Sequence, residues 1–475
     1  MKMPKLQYTL ILFLLIMSSC KRDIANEKIN GEIIISSAIA ANEPVSVWVT
    51  TGDKSKLLQQ QATINFAPDA GKNRTTVTVN ENAVFQSMEG FGYTLTQGSA
   101  KVINTLASTQ QTALLDELFS SNGIGISTIR ISIGASDLSE SSYSYRDGAS
   151  FSLAGPDLTD LIPMIKKILL INPNIKILAT PWSAPRWMKT NGAWIGGSLN
   201  SGNYGDYATY FLDYLNAMKA QGITIWGITP QNEPENPYNE PSMLMTANEE
   251  LNFINNNLGP VIRGAGYNTK IIGFDHNCDN TTYPITVANG STYVDGSAFH
   301  LYAGNISALT TVKNATNKNI YFTEQYTAST GNFGGDLKWH TQNITVGASR
   351  NWAKSIFEWN LANDASFGPH TPGGCNTCLG AITINNSTTF TRNVAYYIVA
   401  HVSKFVQPGA VRITSNIAGN VQNTAFKNTD GTKVLLVENS GAPSVTFKVL
   451  WGSQSFTYTL PGGAVATFKW SGIQS

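Results

Sequence analysis

Two glutamates stand at the ends of short apolar runs, and each could take part in proton transfer or nucleophilic attack. Glu233 lies in segment 228–235 (ITPQNEPE), and Glu324 follows the run 319–323 (NIYFT). A carboxylic acid can protonate a leaving oxygen while a second carboxylate, about 5–5.5 Å away, attacks an anomeric carbon, which is how glycosides are cleaved with retention. Taken alone, Glu233 would fit equally well as a surface residue before a proline that starts a helix.

The separation of these glutamates along the chain favours one shared site. Ninety-one residues separate them (324 − 233 = 91), and two further strand candidates fall in that interval. In a barrel of parallel strands this places the two carboxyl groups on strands four and seven, at the mouth formed by the carboxyl ends. We therefore expect a retaining β-glycosidase in which Glu233 is the general acid/base and Glu324 is the nucleophile.

The segments that must position these glutamates alternate between short apolar runs and longer amphipathic stretches, a pattern typical of βα units around a parallel sheet. Segments 157–171 and 204–221 carry apolar residues at three- and four-residue spacing and predict helices. Residues 85–404 therefore predict an α/β fold, a (β/α)8 TIM barrel that carries the catalytic groups. Its strand candidates are 89–94, 127–133, 175–180, 223–229, 270–275, 296–301, 319–323 and 355–359.

The regions on either side of the barrel alternate with a period of two, which indicates strands. Residues 45–84 contain runs such as VSVWV and TTVTV, and residues 405–475 contain TKVLLV and VTFKV, with Gly and Asn at the turns. Each region is small for an independent domain. We expect the N-terminal strands to pair with the C-terminal block into one β-sandwich beside the barrel.

Short motifs follow one another along residues 84–475. They are MEGFG at 88–92, TIR at 128–130 with ASD at 135–137, PWSAPRWMK at 181–189, QNEP at 231–234, FHLY at 299–302 and FTE at 322–324. Together they resemble glycoside hydrolase family 30, which includes lysosomal glucosylceramidase and bacterial and fungal β-1,6-glucanases. The resemblance implies a barrel with a flanking β-sandwich built from both chain ends, the same roles for Glu233 and Glu324, and no cofactor.

The resemblance also implies a substrate-binding set around the same mouth. Asn232 would bond the sugar 2-hydroxyl, a contact that strengthens in the transition state. Trp182 would line the sugar site, unless it is a core aromatic. Arg130 would keep a carboxylate such as Glu324 ionised, unless it belongs to a structural ion pair. The other members, at or just after strand ends two, six and eight, are Asp137, His300, Tyr302 and Trp359.

One position departs from the glucosylceramidase pattern. Segment 92–97 (GYTLTQ) ends in Gln97, where that pattern has an aspartate that bonds glucose hydroxyls. An amide still donates and accepts, so Gln97 stays among the substrate-binding candidates. The change argues against a close copy of the lysosomal enzyme, and the loop 373–378 (GGCNTC) is more similar to the bacterial glucanase branch.

Cysteines and histidines give no metal-binding pattern. Cys375 and Cys378 lie in a Gly-rich loop, where a disulfide would close a small ring; a metal site would need a second pair, and a redox motif would need a thioredoxin-like context. The five histidines are scattered without a pair at ligand spacing, so we expect no metal. Walker, dinucleotide, His-Glu-x-x-His and Gly-x-Ser-x-Gly motifs are absent, which removes several enzyme classes.

Residues 1–20 have the pattern of an export signal. Two lysines precede an apolar run that is too short to span a bilayer as a mature helix. Segment 17–20 (MSSC) resembles a bacterial lipoprotein processing site with Cys20 as the lipidated residue; a signal peptide cleaved without lipidation is the alternative. Residues 21–44 have no clear period and predict a flexible tether. We expect an exported protein held on the periplasmic or cell-surface face of a membrane by this lipid alone.

Composition narrows the class of partner. Thirty-two basic and thirty-one acidic residues give a formal net charge of +1, so no basic surface indicates nucleic acid. We expect a β-linked glucan, with β-1,6-glucan first, and with glucosylceramide or another β-glycoside such as xylan as the alternative. An alternative of another class is a surface glycan-binding lipoprotein without activity, although binding alone would not need both carboxylates.

Overall fold

The computed structural model describes residues 43–72, 74–148 and 150–474. The predicted signal peptide with Cys20, and the predicted tether up to residue 42, lie outside these residues. No helix in the described part of the chain is long and apolar enough to cross a membrane.

The central part of the chain forms a closed barrel of eight parallel strands. Each predicted strand corresponds to one of them, and neighbours in the chain are neighbours in the barrel, the eighth strand closing against the first. The TIM-barrel prediction is therefore confirmed. The strands are Gly90–Thr94, Thr128–Ser132, Lys176–Thr180, Gly227–Ile228, Lys270–Cys278, Val294–Gly304, Asn319–Glu324 and Ala353–Asn360.

Helices follow the strands and bury one face against the barrel. Tyr204–Ala220 is the longest, and its buried side chains recur at three- and four-residue spacing, including Tyr207, Tyr210, Phe211 and Tyr214. The other α-helices are Gln97–Asn104, Ser108–Phe119, Ile162–Ile171, Ala247–Phe253, Gly259–Gly264, Thr282–Gly290, Ala308–Thr316, Phe333–His340, Gly347–Arg350 and Val394–Ser403. Wider π-type turns at Asp157–Leu161, Ile254–Leu258 and Thr341–Val346 join some of these helices.

Both ends of the described chain meet in one antiparallel-rich sheet structure, as the sequence predicts. Pro44–Thr50 pairs with Val465–Trp470, and Thr76–Ser87 lies between Val411–Ser415 and Val445–Trp451. The remaining long strands are Val421–Lys427, Lys433–Asn439 and Gln454–Leu460. Short strands at Gln59–Gln60, Ile64–Asn65 and Ala67–Pro68 extend its edges.

The strand Lys433–Asn439 shows how this sandwich joins the barrel. Val434 and Leu436 belong to the core cluster of the barrel, whereas Leu435 and Val437 belong to the inner core of the sandwich. Side chains of a strand alternate between its two faces, so one face of the sheet packs on the barrel helices and the other fills the sandwich.

Short strands in the loops build part of the barrel mouth. Thr327–Ala328, just after the seventh barrel strand, pairs with Cys378–Leu379. A second small sheet contains Ala362–Asp364, Ile382–Ile384 and Phe390–Arg392. These pairings fix the long connection that follows the eighth strand against the carboxyl ends of the barrel strands.

Candidate active site

Glu233 and Glu324 lie at the carboxyl ends of barrel strands four and seven, and both are about 6% exposed. Glu233 has a φ of 46°, a left-handed backbone conformation that is uncommon for a residue with a side chain. Its N–H donates to the carbonyl of Asp275 at 3.0 Å, across the neighbouring strand. This tight turn fixes Glu233 at the mouth.

The two carboxylates are close enough for double displacement. An oxygen of Glu233, an oxygen of Glu324 and a ring nitrogen of His300 all lie within 4.8 Å of one another. Inverting enzymes need a gap of about 6.5–9.5 Å to admit a water molecule, whereas retaining enzymes hold their carboxyl groups about 5–5.5 Å apart. The geometry is that of a retaining site.

Arg130 joins three residues beneath the mouth. Its guanidinium donates to Glu324 Oε2 at 2.5 Å, to Asn232 Oδ1 at 2.6 Å and to Asp275 Oδ2 at 3.0 Å. Arg130 is fully buried, so its contacts are protein carboxylates and an amide. The predicted pairing with Glu324 is present, but Arg130 is a positioning residue here and not one exposed to bind substrate.

Asp275 links the cations of this site. Besides Arg130, it accepts from Thr229 Oγ1 at 2.8 Å and Thr323 Oγ1 at 2.6 Å, and it lies 3.2 Å from His300 Nε2. Burial alone would raise the pKa of Asp275, but Arg130 and His300 lower it far below its ordinary value. Asp275 therefore remains a permanent anion that orients both cations.

His300 stands between the catalytic candidates. Nδ1 lies 3.3 Å from Glu233 Oε1 and 3.8 Å from Glu324 Oε1, with the ring fully buried. Burial lowers the pKa of His300, but the charge of Glu324 and the contacts to Asp275 and Glu233 outweigh it and raise the pKa to about 9. A protonated ring has no lone pair for a metal ion, so a metal ion bound among these residues would first have to displace this proton.

The pKa of Glu233 follows from this neighbour. Burial would raise it, but the hydrogen bond and positive charge of His300, with a bond from Asn236, lower the pKa of Glu233 to about 2. In the free site the proton therefore resides on His300, next to the ionised Glu233. The pair holds one proton that either member can carry.

Glu324 has a different environment. Tyr302 donates its hydroxyl to Glu324 Oε1 at 2.9 Å, opposite the Arg130 contact. Burial raises the pKa of Glu324, against the opposing charges of His300 and Arg130. Because a more basic carboxylate is the stronger nucleophile, this environment suits attack on carbon.

Asp137 and the disulfide loop form one wall of the mouth. Cys375 and Cys378 are bonded at 2.04 Å, and the chain just before this disulfide is fastened to Asp137, whose backbone carbonyl accepts from the N–H of Thr371 at 2.9 Å. Burial, then the charges of Glu324 and Glu233, raise the pKa of Asp137 to about 7. One of its carboxyl oxygens lacks a hydrogen-bond partner within the described residues, so it can bond a sugar hydroxyl.

The mouth opens into a cavity of about 460 Å³ in which Trp359 supplies an aromatic wall. Trp182 packs behind it, with ring centroids 5.3 Å apart, and the guanidinium of Arg130 lies 4.8 Å from the Trp182 ring. Both indoles are almost fully buried. The other residues lining the cavity include Asp137, Glu233, Tyr302, Glu324, Tyr326 and His276.

Gln97 does not lie at this cavity, and the expectation that it binds substrate is wrong. It starts the first helix and is fully buried. Its amide nitrogen donates to Asp160 at 2.9 Å, and its oxygen accepts from the N–H of Glu140. Both ends of the amide are therefore used to join loops behind the mouth.

The loop after strand four supplies residues that sequence patterns do not identify. Asn236 donates to Glu233 Oε2 at 2.7 Å, and Asn239 approaches the same oxygen at 3.4 Å. Tyr238, between them, is 83% exposed at the edge of the cavity. The only signal in the sequence is that these residues closely follow Glu233, since a loop has no period.

A parallel barrel with two buried glutamates at this spacing, an arginine on the nucleophile and a tyrosine opposite defines a glycoside hydrolase of the retaining class. Comparison with known proteins agrees. The family model described as "Glycosyl hydrolase family 30 TIM-barrel domain" matches residues 88–406, and "Glycosyl hydrolase family 30 beta sandwich domain" matches residues 409–468. The chain belongs to glycoside hydrolase family 30.

Relatives within the family share most of the chain. An endo-1,6-beta-D-glucanase of Aspergillus fumigatus is 35% identical over 87% of this chain and 91% of its own length. The lysosomal acid glucosylceramidase of Mus musculus is 26% identical over 83% of each. A solved structure of an endo-beta1,6-glucanase is 36% identical, with a TM-score of 0.85, and covers 90% of this chain and 100% of its own.

Proposed function

We propose that this protein is an endo-acting β-1,6-glucanase. The observation that carries the proposal is a catalytic pair with retaining geometry in a chain that is 35–36% identical, over about nine tenths of its length, to proteins named as endo-1,6-β-glucanases. An open cavity edged by the exposed ring of Tyr238 supports endo action, because a polymer can cross it.

Each step of the proposed reaction has a residue assigned to it. The Glu324 carboxylate attacks the anomeric carbon as the bond to the glycosidic oxygen breaks, and that oxygen takes a proton from Glu233. The proton first passes to Glu233 from His300, 3.3 Å away. Asn232, oriented by Arg130, bonds the sugar 2-hydroxyl.

The second half-reaction reverses these roles. Glu233, now ionised, removes a proton from water while the water oxygen attacks the anomeric carbon and the Glu324 ester bond breaks. Esterified Glu324 has no charge. Glu233 is then the one charged carboxylate of the catalytic pair, and it accepts the proton of the attacking water.

The experiment is release of reducing sugar from β-1,6-glucan, β-1,3-glucan, xylan and glucosylceramide by the chain without residues 1–20. We expect hydrolysis of β-1,6-glucan to internal oligosaccharides, and a fall in kcat of about 10³-fold or more in Glu324→Gln and Glu233→Gln. Release of glucose from glucosylceramide alone would instead favour that substrate. No release, with glycan binding intact in both variants, would indicate a binding protein.

The two carboxylates can also be told apart. Glu324→Gly with azide should give a glycosyl azide of inverted, α configuration, because azide takes the place of the nucleophile. Glu233→Gly with azide should give the β product from an activated aryl glycoside, because the covalent intermediate still forms. The opposite pair of configurations would contradict the assignment.

We also propose that the protein is exported and attached to a bacterial membrane through a lipid on Cys20. Its support is the pattern of residues 1–20, with an apolar run before MSSC. In a bacterial host, the full chain should fractionate with membranes and Cys20→Ser should not. Equal membrane association of the two would rule out the lipid, and mass spectrometry of the mature N-terminus would identify the cleavage site.

A further inference from the structure

A second cavity lies at the opposite end of the barrel from the catalytic mouth. It has a volume of about 200 Å³ and is bounded by the starts of barrel strands seven and eight and by the chain that enters from the sandwich. The side chains that define it are Phe85, Trp352, Lys313, Lys318 and Lys354. Two aromatic residues and three lysines therefore line one small space.

The positive charge here is largely uncompensated. Lys313 donates to the carbonyl oxygens of residues 317 and 318, and Lys318 donates to the carbonyl of Val294 at 2.8 Å. Neither has a carboxylate within 4.0 Å among the residues described. Lys354 pairs with Glu89 at 3.3 Å, but Lys176 already shares that carboxylate. In a chain with a net charge of only +1, this grouping is a local feature.

Arginines add to the same excess. The guanidinium of Arg412 lies 3.6 Å from the ring centroid of Phe85 and bonds the amide oxygen of Gln86. Burial, with the nearby charge of Arg350, lowers the pKa of Arg412 to about 10, and burial with the charge of Lys354 lowers that of Lys313. Mutual repulsion of this kind is relieved when an anion binds.

The aromatic wall is held at a conformational cost. Trp352 has a φ of 77°, which is an outlier for a bulky residue and strains the backbone. Its ring meets Phe85 edge-on at 5.7 Å, with Lys313 Nζ 5.8 Å from its centroid. Backbone strain of this kind is concentrated where the position of a side chain has a function. An indole ring next to lysine ammonium groups matches a sugar ring that bears a carboxylate or sulfate.

We propose that this cavity binds an acidic sugar residue, with its carboxylate or sulfate on the lysines and its ring against Trp352. The volume suits a single ring. Because the cavity and Glu324 lie at opposite ends of the seventh strand, a ligand here does not compete with hydrolysis. The site would hold the enzyme on an acidic glycan while the mouth remains open.

Calorimetric titration at low ionic strength tests the proposal, with sodium glucuronate, sodium sulfate and glucose as the probes. We expect glucuronate to bind more tightly than sulfate, and glucose not to bind at this cavity. The double variant Lys313→Gln/Lys354→Gln should weaken glucuronate binding by about tenfold or more. Lys72→Gln/Lys166→Gln, which removes the same charge from two exposed positions, should leave it unchanged.

Trp352→Gly distinguishes a sugar acid from an inorganic anion, because it removes the aromatic ring that only a sugar would contact. Glycine accepts the positive φ at this position without strain. The variant should abolish the preference for glucuronate over sulfate while circular dichroism stays unchanged. Sulfate binding as tightly as glucuronate to the natural chain would overturn the sugar assignment. Absence of glucuronate binding, or equal weakening in both lysine pairs, would overturn the site itself.

Discussion

His300 determines where the catalytic proton resides. Its pKa of about 9 means that the pair it forms with Glu233 keeps one proton through neutral pH. Glu233 thus receives the proton that it donates from His300. In many glycosidases the acid holds this proton itself, because its own pKa is raised. The arrangement links the alkaline limit of activity to a histidine.

His300→Gln should move the alkaline limb of the kcat/KM profile to lower pH. Without the imidazolium, Glu233 alone holds the proton. Burial raises the pKa of Glu233, but a carboxylic acid still releases its proton at a lower pH than a group with a pKa of about 9. We also expect a fall in kcat. An unchanged alkaline limb would contradict the shared proton, and Tyr302→Phe, which leaves the pair intact, serves as the control.

Arg130→Met should lower the free energy of unfolding by about 3–5 kcal/mol, because it removes the buried guanidinium that pairs with both Asp275 and Glu324 and leaves these anions with His300 alone. Urea denaturation measures this loss. Arg130→Met/Asp275→Leu should recover part of it, since one stranded charge is removed. As a control, Arg392→Met breaks a partly exposed pair with Glu117 and should cost about 1 kcal/mol or less.

At the scale of residues, sequence reasoning identifies the groups that a motif or a strand end marks. Glu233, Glu324 and the pairing of Arg130 with Glu324 are of this kind. It could not identify the role of Asn236 and Asn239, whose bonds to Glu233 depend on a loop conformation. The sequence assigns Gln97 to substrate binding because its position matches a family contact, whereas the structure bonds its amide to Asp160 and Glu140.

Among the elements, the barrel strands are predictable because parallel strands buried on both faces read as continuous apolar runs. The fourth strand is the weakest match. The sequence predicts 223–229, whereas only Gly227–Ile228 joins the ladder. Ile223 and Ile225 are buried nevertheless, so the apolar pattern records core packing beyond the hydrogen-bonded strand.

The loop that carries Tyr238 should contribute to binding of the leaving chain. Tyr238→Ala should raise KM for β-1,6-glucan by about three- to tenfold through loss of a stacking surface, and Tyr238→Phe should not. Hydrolysis of an activated aryl β-glucoside, limited by the second half-reaction, should be unaffected in both variants because no leaving chain is then present. Equal loss on the two substrates would show instead that the loop acts through Glu233.

For the molecule as a whole, the contact between sandwich and barrel contains an unpaired acid. Glu438 lies on the same strand face as Val434 and Leu436, is fully buried, and has no hydrogen-bond partner for either oxygen among the described residues. Burial raises its pKa to about 8, against the charge of Lys338. In the unfolded chain Glu438 releases its proton near pH 4.5, whereas in the folded chain it keeps the proton up to about pH 8. Its contribution to the free energy of unfolding therefore falls as the pH rises from about 4.5 to about 8.

Glu438→Met should therefore raise the free energy of unfolding by about 1–3 kcal/mol at pH 8 and by less at pH 5. The apolar side chain removes both the unpaired oxygens and the proton linkage. Thermal unfolding at the two pH values measures the difference. Asp116→Asn, at an exposed helical position, should change neither, and a gain independent of pH in Glu438→Met would contradict the linkage.

The pairing of the first long strand with the last sets an order of events during synthesis. Thr50 and Val465 are partners across 415 residues (465 − 50 = 415). At about 5–20 residues per second, a ribosome leaves the first strand without its partner for roughly 20–80 s. The barrel can assemble in that interval, but the sandwich cannot close before the last strand, Val465–Trp470, has been synthesised. Until then the nascent chain exposes an unpaired strand edge, which is the kind of edge that chaperones protect from aggregation.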